Sequence, residues 1–341
     1  MSTSGRTLSS TRPPRGDSVL VSIVIANRNY ARFLPDAIDS ALAQDHPQVE
    51  VVVVDDGSTD ASAEVIAGYG GRIVARLQDG RGQAAALNAG LGAARGELVC
   101  LLDADDLFLP DKVSRVVRAW HDRPDAALVH HQMQTVDADG RPAHRPWPSV
   151  VLDGDLRRVV RRSAGWYPCA PASGLSFSRA YVDRLLPLPT DPVEVQTPDG
   201  AITVELKPDT YLAAPAAFVG PICGVHEALA RYRIHGANKS GAGADAAQAE
   251  RWNRQIGQYM AEFDALQHVL RDRLGLYVDL RLQDHLGYQL HRRGLGEISR
   301  SEAILRTATT PTLPLRMRPR EIARVAVGRG AARRIQAPAR R

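Results

Sequence analysis

The sequence predicts an α/β fold in which a mainly parallel sheet is covered by helices on both faces. Three observations carry that expectation. Short apolar runs alternate with segments of helical periodicity over residues 19–122. Those runs are rich in β-branched residues and almost free of polar interruptions, as strands buried on both faces must be. Two of them end in clustered aspartates, and open parallel sheets bind ligands outside the carboxyl ends of their strands.

In chain order, "LVSIVIA" (20–26) is the first buried strand and "FLPDAIDSALAQ" (33–44) the first helix, with Leu34, Ile38 and Ala41 or Leu42 on one side. "VEVVVVDD" (49–56) is the second strand, followed by the helix "ASAEVIAGY" (61–69). "RIVARLQ" (72–78), "GQAAALNAGLGAARG" (82–96) and "ELVCLLD" (97–103) continue as strand, helix and strand. "PDKVSRVVRAWHD" (110–122) is an amphipathic helix opened by Pro110 and Asp111, and 126–140 is a strand closed by an acidic turn. Residues 141–200 are proline-rich and carry no clear period. Residues 209–220 look helical, with Pro215 expected to bend or end the helix, and 228–236 form a strand. Helical patterning then runs from about 245 to 295, with Ile256, Met260, Phe263, Leu266 and Leu270 at three- and four-residue spacing.

With 341 residues and 44% apolar content, the chain can bury a sizeable core. The net charge is only +5, and Lys112, Lys207 and Lys239 are the only lysines, an arginine bias that a GC-rich genome explains. Cys100, Cys169 and Cys223 are scattered, which argues against a zinc site or a disulfide framework and fits a reducing cytoplasm. The polar N-terminus has no apolar core of a secretory signal, and no apolar run reaches the ~20 residues of a membrane span. The expectation is a cytoplasmic protein, at most peripheral at the inner face of the membrane.

The acidic strand ends are the informative feature. Asp55 and Asp56 close the second strand, and Asp103, Asp105 and Asp106 close the fourth. Turn aspartates often cap the next helix, a role that suits "DDGSTD" in part but leaves two acids at a buried strand end. Asp103 and Asp105, two residues apart past a strand, can converge on one hard cation, with Asp106 pointing elsewhere or working through water, as a supporting partner or as the cap before "LFLPDK". Mg²⁺ or Mn²⁺ is typically held by one or two carboxylates plus substrate phosphates, so the cation would offset the carboxylate repulsion and bind a diphosphate.

Taken in order, "VSIVIANRNYARFLPDAIDSALAQ", "VEVVVVDDGSTDAS", "GRGQAAALNAGLGAARGE" and "LLDADD" resemble a bacterial family 2 glycosyltransferase of the GT-A fold. The match is dense over residues 19–120 and resumes at "DTYLAAPAAFVGPI" and "ALARYRIHGANKS". The resemblance implies an inverting enzyme that moves a sugar from a nucleotide-diphosphate sugar, of UDP type, to a glycan, lipid-linked or natural-product acceptor. It implies that Ala26 to Tyr30, with Arg28, line the base, and that Asp55 or Asp56 accepts from a uracil-like imide. Gly82 and Gln83 would sit beside base and ribose, Asp103 would serve ribose and metal, and Asp105 the metal directly. "ANRN" stands where the family more often has a Pro-Thr-Tyr-Asn type of run.

Inverting transfer needs a base for the acceptor hydroxyl. The distal acids are Asp183, Asp191, Glu194, Asp199, Glu205, Asp209 and Glu227. Asp209 matches the position of the family's base, with an ordinary helix cap as the alternative role; Glu205 is the second candidate. His235 matches a distal histidine that reaches the metal, and histidine suits Mn²⁺ better than Mg²⁺. His130 and His131 are expected to be structural. Trp166 and Tyr167 suit either acceptor stacking or core packing.

These expectations divide the chain into a disordered leader (1–17), a glycosyltransferase domain (18–243, with a nucleotide-binding half 18–120 and an acceptor-binding half 121–243), a helical extension (244–312) and an arginine-rich tail (313–341). The tail suits a solvated segment or an anionic membrane surface; nucleic acid is not an expected partner. A nucleotide-sugar oxidoreductase would need G-x-G-x-x-G where "ANRNYA" stands. A nucleotidyltransferase would need a glycine-rich basic loop there. A catalytically inactive nucleotide-sugar-binding relative would differ only in lacking the base.

Overall fold

The computed structural model describes residues 18–197, 200–235, 248–282, 288 and 299–309. The leader 1–17, Asp199 and the tail 313–341 lie outside the described residues, as does much of the helical extension. Two compact units result. Among the described residues, the first comprises 18–155, 169–188 and 216–235; the second comprises 156–168, 189–215 and those from 248 onward.

The first unit is built on an eight-stranded sheet. Its strands are β1 (Val21–Asn27), β2 (Val49–Asp56), β3 (Val74–Gln78), β4 (Leu98–Asp103), β5 (Leu107–Phe108), β6 (Leu128–Val136), β7 (Leu175–Ser178) and, after a β8–β9 hairpin in the second unit, β10 (Ile222–Arg233). Their spatial order is β3-β2-β1-β4-β7-β6-β10-β5. The pairs β1–β2, β1–β4, β2–β3 and β6–β10 are parallel, whereas β7 is antiparallel to both β4 and β6. One reversed strand therefore restores direction, and β1, β2, β4, β6 and β10 all end at the same edge.

Helices α1 (Leu34–Leu42), α2 (Ser62–Tyr69), α3 (Gln83–Ala93), α4 (Lys112–Asp122) and α6 (Arg179–Leu185) belong to this unit. The core joins Ile23 and Ile25 of β1, Val51 and Val53 of β2, Leu98 and Leu102 of β4, Leu34 and Ile38 of α1, and Val113, Val116 and Trp120 of α4. Close approach of α3 to the sheet depends on Gly90, where an added Cβ would come within 2.5 Å of Val24 Cγ1. As the edge strand, β3 is largely exposed, with Leu77 open to solvent. Lys112 is fully buried, donating to Ser176 Oγ at 3.1 Å and standing 4.0 Å over the Phe108 ring.

The second unit holds α5 (Arg157–Arg161), the antiparallel pair β8 (Val193–Thr197) and β9 (Gly200–Val204), most of α7 (Pro208–Val219), α8 (Gln248–His268) and α9 (Arg300–Thr309). Val195, Val204 and Ala261 form its small core with Ile202, Leu206 and Met260.

Several elements differ from the sequence expectations. Helix α7 is not ended by Pro215, because buried Leu212, Ala213, Ala216 and Ala217 hold the helix on both sides of it. β10 begins at Ile222, six residues before the expected strand, with register shifts between Val225 and Ala230 that blur its alternation. Helix α8 (Gln248–His268) ends in a π-turn (Val269–Arg273), where Gly275 at φ +68° turns the chain and Leu274 and Leu276 N–H groups bond back to Val269 and Leu270 carbonyls; of the expected helical stretch beyond it, 283–287 and 289–295 lie outside the described residues. The hairpin β8–β9 and strand β7 lie in the stretch without clear sequence period.

Candidate functional site

The ends of β1, β2, β4 and β10 gather the candidate residues of the first unit. Ala26 lies opposite Asp103 across β1–β4, and Asn27 opposite Asp55 across β1–β2.

Asp55 and Asp56 are both buried, and each is supplied with donors by the protein. Asp55 Oδ1 accepts from Asn27 Nδ2 at 2.6 Å and from Ser58 Oγ at 2.5 Å, and Asp55 Oδ2 accepts from Ser58 N–H at 3.0 Å. Asp56 takes Gln78 Nε2 at 2.7 Å and the N–H groups of Arg81 and Gly82, both at 2.8 Å. Asp56 thus holds the entry to α3, where Gly82 at φ +91° leads into Gln83. The local turn role in "DDGSTD" is kept by Asp55, which takes Ser58 N–H, and by Asp60, whose Oδ1 accepts from Ser62 N–H at 3.0 Å at the start of α2, while Asp56 serves the distant entry to α3. Arg28, 56% exposed, brings its guanidinium to 3.8 Å from Asp56 Oδ2 and lies over Gly80, whose missing side chain leaves it room.

The fourth strand runs into a tight turn, in which Asp106 N–H donates to Asp103 O at 3.0 Å. Asp105 reaches His235, with Nε2 3.0 Å from Asp105 Oδ2 across 130 residues of sequence. Their side chains are only 13% and 7% exposed. The imidazole packs against the Phe33 ring at 4.7 Å, tilted by 35°, with Tyr30 edge-on at 5.9 Å. Burial, then the carboxylates of Asp105, Asp103 and Asp106, push the Tyr30 phenol up to about 12.

Asp106 is buried and does structural work. Ser173 Oγ accepts from Asp103 N–H at 3.0 Å and donates to Asp106 Oδ2 at 2.7 Å, while Asp106 Oδ1 accepts from Arg233 N–H at 2.9 Å. Burial, then Asp103 and Asp105, push its carboxyl well above the usual carboxylate range. The Arg233 side chain continues the linkage, meeting Asp36 of α1 at 3.0 Å and standing 4.6 Å over Phe33. Sequence reasoning left Asp106 open between a supporting partner of the other two aspartates and a cap for the following segment, and missed Ser173 and Phe33. A serine in a short 3-10 turn (Ala172–Gly174) has no periodic signal, and Phe33 reads as an ordinary core residue.

Two carboxylates and an imidazole are donors suited to a divalent first-row ion. Among the described residues, no three His, Cys, Asp or Glu side chains are grouped so as to hold a metal ion; the pair brought together is Asp105 and His235, with Asp103 two residues from Asp105. Such a pair fits only an ion that takes most of its shell from phosphate oxygens and water, the habit of Mg²⁺ and Mn²⁺ in phosphate chemistry.

In the second unit, Asp209 lies in the first turn of α7, half-buried, with Oδ1 accepting its neighbour Thr210 N–H at 2.9 Å. Glu205 and Glu194 are exposed, as is Asp191. In the first unit, Asp183 pairs with Arg179 and Glu227 with Arg115. Tyr167 is buried and donates to Ala213 O at 2.6 Å, which makes it a core residue, and Trp166 is half-buried. His130 and His131 are fully buried on β6, bonded to Leu152 O and Gln132 O.

Residues 22–184 match the model of glycosyl transferase family 2. An uncharacterized glycosyltransferase of Nostoc sp. is 35% identical over 265 residues, covering 76% of this chain and 79% of that protein. The succinoglycan biosynthesis protein ExoO of Rhizobium meliloti is 42% identical over 136 residues, 38% of each chain. Among solved structures, S. aureus TarS 1–349 in complex with UDP-GlcNAc matches with a TM-score of 0.52 and 14% identity, covering 90% of this chain and 89% of that one. The mannosyltransferase PcManGT of Pyrobaculum calidifontis, in complex with GDP-Man and Mn²⁺, matches with a TM-score of 0.50 and 20% identity over 91% and 85%. At such identities these two show the shared fold.

Proposed function

The chain belongs to glycosyltransferase family 2, and from that premise we propose a metal-dependent, inverting enzyme that uses a UDP-sugar and acts in polysaccharide assembly. The observation that carries the metal dependence is the 3.0 Å approach of His235 to Asp105, beside Asp103 at the end of β4. Asp103, Asp105 and His235 would hold Mn²⁺ or Mg²⁺, which when bound supplies charge neutralisation for the departing diphosphate. Ala26, Arg28, Gly82, Gln83 and Asp103 would bind the nucleotide-sugar, with Asp55 or Asp56 accepting from the base imide. Asp209 would take the proton of the acceptor hydroxyl, with Glu205 as the second candidate. The hydroxyl oxygen forms its bond to the anomeric carbon as the anomeric carbon–phosphate oxygen bond breaks, and the nucleoside diphosphate leaves with the electron pair.

The resemblance to ExoO supports a polysaccharide acceptor. No helix among the described residues is long and apolar enough to cross a membrane, and contact through the basic C-terminal segment is part of this proposal. A thermal-shift panel of UDP-, GDP- and dTDP-sugars with and without Mn²⁺ tests it. Stabilisation by UDP-sugars only with metal is expected; stabilisation by GDP-sugars alone, or without any metal requirement, would refute the corresponding part.

A further inference from the structure

Trp147 is 54% exposed, yet the backbone that carries it is firmly held. Segment 142–148 lies antiparallel along the later half of β6, with bridges from Val136 to Pro142 and from Met133 to Trp147. Met133 and Trp147 exchange both backbone hydrogen bonds, at 2.6 and 2.8 Å, and Ala143 N–H donates to Thr135 O. The side-chain amides of Gln132 and Gln134 donate to the carbonyls of Pro148 and His144. A large aromatic side chain is ordinarily buried for most of its area. Here a rigid frame keeps one in the open.

Its position follows from strand register. Cys100 of β4 stands opposite Ser176 of β7, which stands opposite Val129 of β6. Four residues on, along strands of the same direction, Met133 is level with Ala104, between Asp103 and Asp105. β10 occupies the other flank of β6, so segment 142–148 lies on the flank that faces β7 and β4. Trp147 is therefore level with the acidic turn and within two strand spacings of β4, about 10 Å. Every one of these residues is in the first unit.

We propose that Trp147 is a stacking platform for a pyranose ring of the acceptor glycan. This rests on the glycosyl-transfer function proposed above. One face of a pyranose presents mainly C–H groups, which pack on an aromatic face while the ring hydroxyls stay hydrogen-bonded. His144, Arg145 and Ser149, all exposed, are the polar neighbours such hydroxyls need. Those same neighbours argue against a lipid surface, because membrane seating requires a broad apolar face rather than one ring in a polar frame.

The full chain, Trp147→Ala and Trp147→Phe are titrated with cello-, malto-, manno- and laminaritetraose, followed by isothermal titration calorimetry. Parallel arms measure sedimentation with phosphatidylglycerol vesicles and the thermal shift produced by UDP with Mn²⁺. The wild type is expected to bind at least one tetrasaccharide, Trp147→Ala at least tenfold more weakly, and Trp147→Phe within about threefold. The UDP–Mn²⁺ shift should be equal in all three proteins, which also reports intact folding. Failure of the wild type to bind any tetrasaccharide, equal binding by Trp147→Ala, or loss of vesicle binding in its place overturns the proposal. Trp147-dependent glycan binding without a UDP–Mn²⁺ shift would support this subsite while refuting the donor and metal assignment.

Discussion

The backbone N–H of Arg233 donates to Asp106 Oδ1 at 2.9 Å, joining β10 to the acidic turn across 127 residues of sequence. Two residues beyond Arg233, His235 reaches Asp105. Through Ser173, the same Asp106 carboxyl also holds the backbone of Asp103. One buried side chain thus ties together the two segments that carry the candidate metal donors.

Replacing Asp106 with leucine removes the acceptors of Arg233 N–H and Ser173 O–H in a buried place. A stability loss of about 2–4 kcal/mol is expected from two stranded donors, read as a lower urea midpoint. Mn²⁺-dependent UDP binding should fall with it. Asp106→Asn retains an acceptor for Arg233 N–H and should recover most of both.

His235→Ala and Asp105→Asn should each weaken Mn²⁺-dependent UDP binding by roughly tenfold or more, as loss of one metal donor does. Isothermal titration with and without Mn²⁺ checks this. Equal affinity of the variants and the wild type in Mn²⁺ would remove these residues from the metal site.

Asp209→Asn tests the proposed base. Sugar transfer should fall by roughly 10²–10⁴-fold, while UDP binding stays within about twofold. If Glu205→Gln rather than Asp209→Asn shows that pattern, the base is Glu205.

Stability should decline on acidification through His131. Burial, then the nearby Lys112 cation, hold its pKa down at about 3, against 6.5 for the ordinary imidazole. Between those values the unfolded chain binds more protons than the folded one, so stability rises with pH in that window and is lost as pH falls through it. By about pH 5 this one group removes about 2 kcal/mol. His131→Gln should flatten the pH dependence of urea unfolding between about pH 5 and 6.5.

The strands from β1 to β4 and the helices from α1 to α4 were legible because each is marked by local chemistry: β-branched apolar runs, three- and four-residue apolar spacing, and turn residues between them. The acidic strand ends were legible for the same reason. β7 and the β8–β9 hairpin were not, because β7 is only four residues long and the hairpin belongs to a small separate core. Residues of the β10 bulge region, such as Glu227, broke the alternation by which a strand is recognised.

By itself the sequence determined the parallel α/β frame, the order of its first elements and the residue types able to hold a cation and a diphosphate. Periodicity and strand-end composition are properties of neighbours in the chain. Only the tertiary structure decided that Asp106 ties the acidic turn to β10, that Ser173 and Arg233 complete the tie, and that Phe33 packs against His235. Those relations join residues 67 to 202 positions apart, and such distances are closed only by the packing of the whole sheet.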